Sequence, residues 1–230
     1  MSLKKSHGNM YDWVTHMHSH LGGKCPHECS YCYVQKNRFG VSERYQGDVR
    51  FLDNELKVNY GVGNTIFIEH MNDMFAKEIK DEWIMKILEH CNKYRNQYVF
   101  QTKNPMRANK FIDLFPKKYL FGTTIETNRD VDVSKAPKPI DRYNGMMSYK
   151  HKTDTFITLE PILDFDVDIL SKWIIDIKPL FINIGADSKK CGLKEPSADK
   201  IKELVNILQK NDIVIKKKVN LERIYENTSD

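Results

Sequence analysis

Cys25-Pro26-His27-Glu28-Cys29-Ser30-Tyr31-Cys32, followed by Tyr33, decides how the rest of this chain is read. Three of the five cysteines fall in this one stretch, at C-x3-C-x2-C spacing. Thiolates this close on a short loop suit a soft metal or an iron–sulfur cluster. A disulfide would use two of them and strand the third. A tetrahedral zinc site wants four ligands, usually as two pairs. Here the second pair is missing, because Cys91 and Cys191 stand apart, although His27 or another nearby histidine would complete such a site. A four-iron cluster on three thiolates leaves one iron open, which is what cofactor chemistry needs. Tyr31 sets an aromatic wall beside it.

The surrounding chain sets bounds on this reading. Its 230 residues are 40 % hydrophobic and 29 % charged, as expected of a soluble globular core. With no linker, repeat or low-complexity segment, residues 1–230 read as one domain. No apolar run reaches membrane-spanning length. Met1 to Asn9 lacks the apolar core of a signal peptide. Cysteines without a secretory signal point to a reducing, cytoplasmic setting with no disulfide framework. The formal charge of +5 permits a nucleic-acid or phosphate-bearing partner without requiring one. A solvated lysine-rich surface accounts for it equally well.

Trp13 to His18 reads as a short strand leading into Gly22-Gly23, which lets the backbone pass close to something bulky. His16, His18 and His20 alternate along it. They either face the cluster or substrate, or simply form a polar strand face. Tyr33 to Arg38 is expected to start a helix. Apolar runs at 65–70, 98–103, 119–126, 155–161, 180–187 and 214–219 read as buried strands. Helical spacing covers 81–94, 106–114, 140–149, 167–177 and 197–209, the last capped by Ser197. Cys91 falls on an apolar helical stripe and reads as a buried structural thiol. Alternation of short apolar strands with amphipathic helices implies an α/β fold with a parallel sheet and helices outside.

Five strand ends then carry polar groups: His70-Met71-Asn72-Asp73, Gln101-Thr102-Lys103, Thr124-Ile125-Glu126, Glu160-Pro161 and Gly185-Ala186-Asp187. In parallel barrels the site lies at the C-terminal ends of the strands. Five recurrences are better explained by a polar ligand in the mouth than by surface loops. Lys216-Lys217-Lys218, if a strand, points alternately to opposite faces and is no single phosphate patch.

The cysteine motif, as C-x3-C-x-aromatic-C, resembles the signature of the radical S-adenosylmethionine (SAM) superfamily. The resemblance implies a partial, curved (β/α)6 barrel and a [4Fe-4S] cluster on Cys25, Cys29 and Cys32. It also implies SAM bound by the open iron and cleaved reductively to a 5′-deoxyadenosyl radical, which abstracts hydrogen from substrate. Such chemistry belongs to the cofactor, while the protein positions and shields it. The resemblance further implies acceptors for the SAM amino group at Asn72 and Asp73, and a ribose contact at Thr124 or Glu126. Adenine falls near Ile184 and Gly185, and Lys103 meets the SAM carboxylate or a substrate phosphate. For Asp73 and Glu126 the plainer alternatives are a helix cap or a surface ion pair.

The stretches 68–75, 101–105, 122–126 and 159–163 together resemble one branch of that superfamily, whose members often come from bacteriophages and their hosts. This branch is distantly similar to spore photoproduct lyase, a radical SAM enzyme acting on DNA. The similarity covers about residues 11–219. Two departures are visible: Met17-His18-Ser19-His20 stands where many members have Trp-Asn-Pro, and the usual glycine-rich second-strand motif is absent. The resemblance points to a nucleic acid or nucleotide as substrate, with a small metabolite as the alternative. It also implies an external one-electron donor such as flavodoxin or ferredoxin. Cys191 lies in a polar loop at the expected mouth, where Lys189 and Lys190 would lower its pKa. It is a candidate to return a hydrogen atom to a product radical, or an incidental loop thiol. Two other readings are a zinc-stabilised nucleic-acid-binding module and an iron–sulfur redox or sensor protein that never cleaves SAM.

Overall fold

The computed structural model describes residues 3–7, 10–37 and 39–225. Its main sheet has eight strands, in the order β1 (Lys4–Lys5), β2 (His16–His18), β5 (Thr65–Ile68), β6 (Gln97–Thr102), β7 (Tyr119–Thr124), β8 (Thr155–Leu159), β9 (Phe181–Ile184) and β10 (Ile215–Lys217). All neighbours are parallel except β1, which runs antiparallel to β2 at one edge. A small antiparallel pair, β3 (Leu21–Gly22) and β4 (Arg50–Phe51), stands apart. The helices are α1 (Asp81–Asn92), α2 (Pro105–Ala108), α3 (Pro139–Met147), α4 (Val167–Ile177), α5 (Ala198–Lys210) and α6 (Glu222–Tyr225).

Side-chain alternation explains why the strands are apolar on both faces. Phe67, Val99, Leu120, Phe156 and Phe181 form an inner cluster, which Tyr11 and Trp13 of the N-terminal segment cover. Ile66, Ile68, Phe100, Phe121, Ile157 and Ile182 point the other way. They pack in one larger core with Ile84, Ile87 and Leu88 of α1, Leu170 and Ile174 of α4, and Leu204 and Leu208 of α5. A sheet buried on both sides needs such continuous runs. Gly122 is part of this packing: a Cβ there would lie 2.4 Å from the Phe156 ring.

The expected strand–helix alternation holds from α1 onward and departs in three places. Between β2 and β5 there is no α-helix among the described residues. The cysteine loop, β3, β4 and two short 3-10 turns (Glu43–Tyr45 and Asp53–Lys57) fill that crossover. Residues 33–37 form turns rather than the start of a helix, and Arg38 lies outside the described residues. The Asn37 side chain accepts from Phe39 N, and Gly40 N donates to Asn37 O at positive φ, so the chain turns back there. The helix expected over 106–114 is four residues of α2 continued as 3-10 helix (Asn109–Leu114). The N-terminal call on Met1 to Asn9 falls partly on residues 1, 2, 8 and 9, outside the described residues. No helix among the described residues is long and apolar enough to cross a membrane.

Candidate functional site at the strand ends

The C-terminal ends of β5, β6 and β7 carry the groups that hold the cysteine loop. Asp73, four residues beyond Glu69 on the β5 exit, is buried and fully engaged. It accepts from Thr102 Oγ1 at 2.8 Å, Lys103 N at 2.7 Å and Phe75 N at 2.9 Å, and from His27 Nε2 at 2.8 Å. Burial alone would raise its carboxyl, but His27, the Lys103 N–H and the Thr102 hydroxyl bring it down to about 2. His27 is thereby the loop's anchor, rather than a free ligand. Asn72 adds a second tie, donating to Gly23 O at 3.1 Å. The Tyr33 hydroxyl donates to His70 O at 2.5 Å.

The other side of the loop rests on the exit of β7. Ser30 N donates to Val133 O and Lys135 N donates to His27 O, so two backbone bonds join it to the segment after Glu126. The Tyr31 hydroxyl donates to Glu126 Oε1. Glu126 is buried and also meets Arg142 Nη1 at 2.5 Å and Lys103 Nζ at 3.6 Å. Burial raises its carboxyl, yet Arg142 and Lys103 together hold it below the usual carboxylate range. Lys103 sits 5.4 Å above the Tyr31 ring centroid. Burial opposes its charge, but Cys29 and Glu126 overcome that and raise its pKa. Arg142 belongs to the buried stripe of α3, with Gly145 and Met146. A charged residue at i with apolar or small residues at i+3 and i+4 is the sequence signal that would have found it.

Cys25, Cys29 and Cys32 are free and half-buried in this loop. Burial pushes the Cys25 thiol up to about 12, with the Asp73 charge as the next cause. Cys29 is raised mainly by burial as well. Among the described residues no three His, Cys, Asp or Glu side chains are gathered to hold a single metal ion. A zinc centre needs its donors to converge on one point. A cubane takes each thiolate on a different iron, so three loop cysteines with no fourth donor beside them among the described residues are compatible with such a cluster.

The remaining strand ends line the same mouth. Thr124 Oγ1 accepts from Gln101 Nε2 at 2.9 Å. Tyr11 reaches the same floor, bonding Gln101 at 2.8 Å and Thr158 at 2.7 Å. A Cβ on Gly185 would lie 2.9 Å from both Glu160 and Asn220 Oδ1. Asn220 donates to Glu160 at 3.0 Å and to Ala186 O at 2.8 Å, while its Oδ1 is buried with no partner among the described residues. Cys191 is half-buried in the loop after β9, its N–H donating to the Asp187 carboxylate. The expected lowering of its pKa is overturned: burial and the Asp187 charge raise it, outweighing Lys36 and Lys189.

The alternating histidines do not share one environment. His16 is partly exposed and bonds Thr15. His18 and His20 are buried on the helix side of the sheet, behind the mouth. His20 Nε2 lies 2.8 Å from His90 Nδ1, and His90 Nε2 lies 3.0 Å from Val58 O. A carbonyl only accepts, so His90 Nε2 carries hydrogen and its Nδ1 accepts from His20. His20 Nδ1 then faces Glu69 Oε1 at 2.9 Å with one proton between them. Burial raises Glu69 to about 8 and lowers His20 to about 3, so the proton rests on Glu69 and the pair is neutral.

No family model and no curated protein sequence matches the chain. Solved structures do. SuiB of Streptococcus suis bound to its precursor peptide SuiA superposes with a TM-score of 0.63 at 10 % identity, over 91 % of this chain and 50 % of that one. A mutant spore photoproduct lyase with bound S-adenosylmethionine and dinucleoside spore photoproduct gives 0.55 at 12 % identity, over 91 % and 66 %. SuiB bound to S-adenosylmethionine gives 0.57 at 9 %, over 85 % and 48 %. The chain thus spans about half the length of SuiB and about two thirds of the lyase. With a parallel sheet of this order and this likeness, the chain has the fold that SuiB and spore photoproduct lyase share.

Proposed function

We propose that the chain is a radical SAM enzyme whose [4Fe-4S] cluster is held by Cys25, Cys29 and Cys32. The observation that carries this reading is the placement of the C-x3-C-x2-C loop over the C-terminal strand ends, tied to β5 through His27–Asp73 and to β7 through Tyr31–Glu126. When bound, the cluster supplies the electron that splits SAM into methionine and a 5′-deoxyadenosyl radical, which takes a hydrogen atom from substrate.

The residues of this chain bind, orient and shield. Asn72 and the backbone around Asp73 lie where the SAM amino group needs acceptors. Asp73 itself is committed to the loop and acts through it. Lys103 offers the cationic partner for the SAM carboxylate, and Thr124 a hydroxyl for the ribose, with Glu126 fixing Lys103. Adenine is assigned to the backbone near Ile184 and Gly185, and Asn220 Oδ1 is the acceptor for its amino group. Cys191 is kept as a thiol, the form that gives up a hydrogen atom. After doing so it needs one electron, drawn from the same external flavodoxin- or ferredoxin-like donor, and one proton, drawn from solvent. A nucleic acid or nucleotide is the substrate class, supported by the likeness of fold to a spore photoproduct lyase that holds a dinucleoside spore photoproduct, with a small metabolite as the alternative. A single domain working in a reducing, cytoplasmic setting, with no membrane attachment, agrees with five free thiols.

The test is anaerobic reconstitution with iron and sulfide, followed by dithionite and SAM. The expected result is a brown protein absorbing broadly near ~400 nm and releasing 5′-deoxyadenosine. Replacing any one of the three loop cysteines by alanine should abolish that release. A colourless protein without iron, or a brown one that leaves SAM intact, would refute the proposal.

A further inference from the structure

The face opposite the mouth, where the helices hand over to the next strands, has its own charge. Lys93 and Arg95 follow α1, Lys117 and Lys118 precede β7, and Lys150 and Lys152 precede β8. Lys178 and Lys210 close α4 and α5 on the same side. Against these eight cations the same connections carry two carboxylates, Asp154 and Asp212. That surplus is as large as the whole chain's formal +5. The remaining surface is therefore close to balanced.

Some of this charge needs no ligand. Lys93, Lys178 and Lys210 sit at helix C-termini, where the macrodipole alone favours a cation. Arg95, Lys117, Lys118 and Lys152 end no α-helix, and none of them is in an ion pair among the described residues. Lys117, Lys118 and Lys152 line one open cleft with His151 and a single carboxylate, Asp154, with a volume of about 510 Å³. Its walls are fixed to the sheet: Tyr98 N donates to Lys118 O at 3.0 Å, Phe121 N to Asp154 O at 3.1 Å and Thr153 Oγ1 to Tyr119 O at 3.1 Å. Unpaired like charges held together on rigid backbone are unfavourable until a polyanion neutralises them.

We propose that this cleft binds the sugar–phosphate backbone of a nucleic acid, at a surface separate from the mouth. Neighbouring strands lie about 4.8 Å apart, so the lysine-bearing connections before β7 and β8 present cations at intervals that successive phosphates can meet. The cleft's rings are His151 and the half-buried Tyr119, against three exposed lysines, which makes the contact chiefly one of charge and shape rather than sequence. Its concavity suits a narrow strand. A flat bilayer would leave the cleft lysines unmet. Strands of six residues separate this face from the cysteine loop by about 20 Å. Direct electron delivery and the reacting group itself belong to the other end. The cleft adds affinity for a polymer without taking part in chemistry, and it depends on none of the cluster ligands.

Fluorescence anisotropy of a labelled mixed-sequence oligonucleotide tests this on the full chain, with or without cluster. Binding is expected, weakening steeply between about 50 and 200 mM salt. K117E/K118E/K152E should weaken it at least about tenfold at low salt, and the alanine triple should lower the log–log salt slope by about 2 to 3. K77E, on an exposed lysine beyond β5 at the mouth side, serves as the charge control and should have a far smaller effect. Circular dichroism and melting confirm folding, since the three lysines are exposed. Unchanged binding by the charge-reversed triple would overturn the proposal. So would binding to phosphatidylserine vesicles but not to the oligonucleotide, or equal displacement by polyglutamate.

Discussion

His27 Nε2 lies 2.8 Å from Asp73 Oδ2, and this one contact joins the cysteine loop to the end of β5. Both side chains are buried. The carboxylate also takes the Thr102 hydroxyl and two backbone N–H groups, so removing it strands four donors at once. Asp73→Ala should cost about 3–5 kcal/mol, the range for breaking a buried pair. Asp73→Asn keeps oxygen for some of these donors and should cost less. Urea unfolding of both variants measures the difference. Equal and small losses would mean that the loop is held elsewhere.

A second prediction concerns pH. Glu69 is raised from 4.5 to about 8, so the folded state keeps a proton that the unfolded state loses, and stability falls as pH rises across that interval. His18, His20 and His70 are lowered from 6.5 to about 2, 3 and 4, chiefly by burial. The unfolded chain takes up protons there that the folded one refuses, so stability falls as pH drops below 6.5. The two limbs meet in a maximum near pH 6.5. Glu69→Gln removes the titrating carboxyl and keeps an amide oxygen for one of the two backbone N–H groups, of His20 and Leu21, that the carboxyl accepts from. Its melting temperature should therefore stay flat from pH 6.5 to 8 while the acid limb remains. An alkaline decline equal to that of the wild type would contradict the shared-proton assignment.

The sequence carried the parallel strands because each is a short apolar run, and it carried the mouth because polar groups recur where those runs stop. It did not carry the crossover between β2 and β5, where a loop held by side chains replaces a helix. Tyr33 to Lys36 have helix-compatible residues, and only the Asn37 cap and the ties of the cysteine loop prevent one. His18 and His20 were ambiguous because a period of two names a face without saying which face is inside. Glu69 was hidden at the end of an apolar run, where its positive φ turns it toward the helix side. Asp73 was legible as a functional position, but its commitment to His27 depends on a contact across 46 residues.

Gly122 is predicted to be intolerant of any side chain. A Cβ would meet three Phe156 ring atoms at 2.4 to 2.6 Å, far inside contact distance, and that ring is itself clamped between Trp13 and Phe181. Gly122→Ala should cost about 1–3 kcal/mol by overpacking. Phe156→Leu in the same chain should recover part of that loss, although it is destabilising alone. If the double variant is no better than the sum of the singles, the clash is not with this ring.

The last prediction separates the two ties of the loop. The Tyr31 hydroxyl, on the cysteine loop, bonds a Glu126 carboxylate that is already paired with Arg142 at 2.5 Å and Lys103 at 3.6 Å. Tyr31→Phe keeps the ring under Lys103 and removes only that bond. It should cost about 1.5–3 kcal/mol, as for a hydrogen bond to a charged group. Glu126→Gln leaves Arg142 and Lys103 as buried cations without their counter-charge, and should cost about 3–5 kcal/mol. Because both changes strike one interaction, the double variant should lose less than the sum, with a coupling of about 0.5–3 kcal/mol. Denaturant midpoints for the four proteins give this number directly. Strict additivity would detach Tyr31 from Glu126 and leave His27–Asp73 as the side-chain tie that fixes where the three thiols sit.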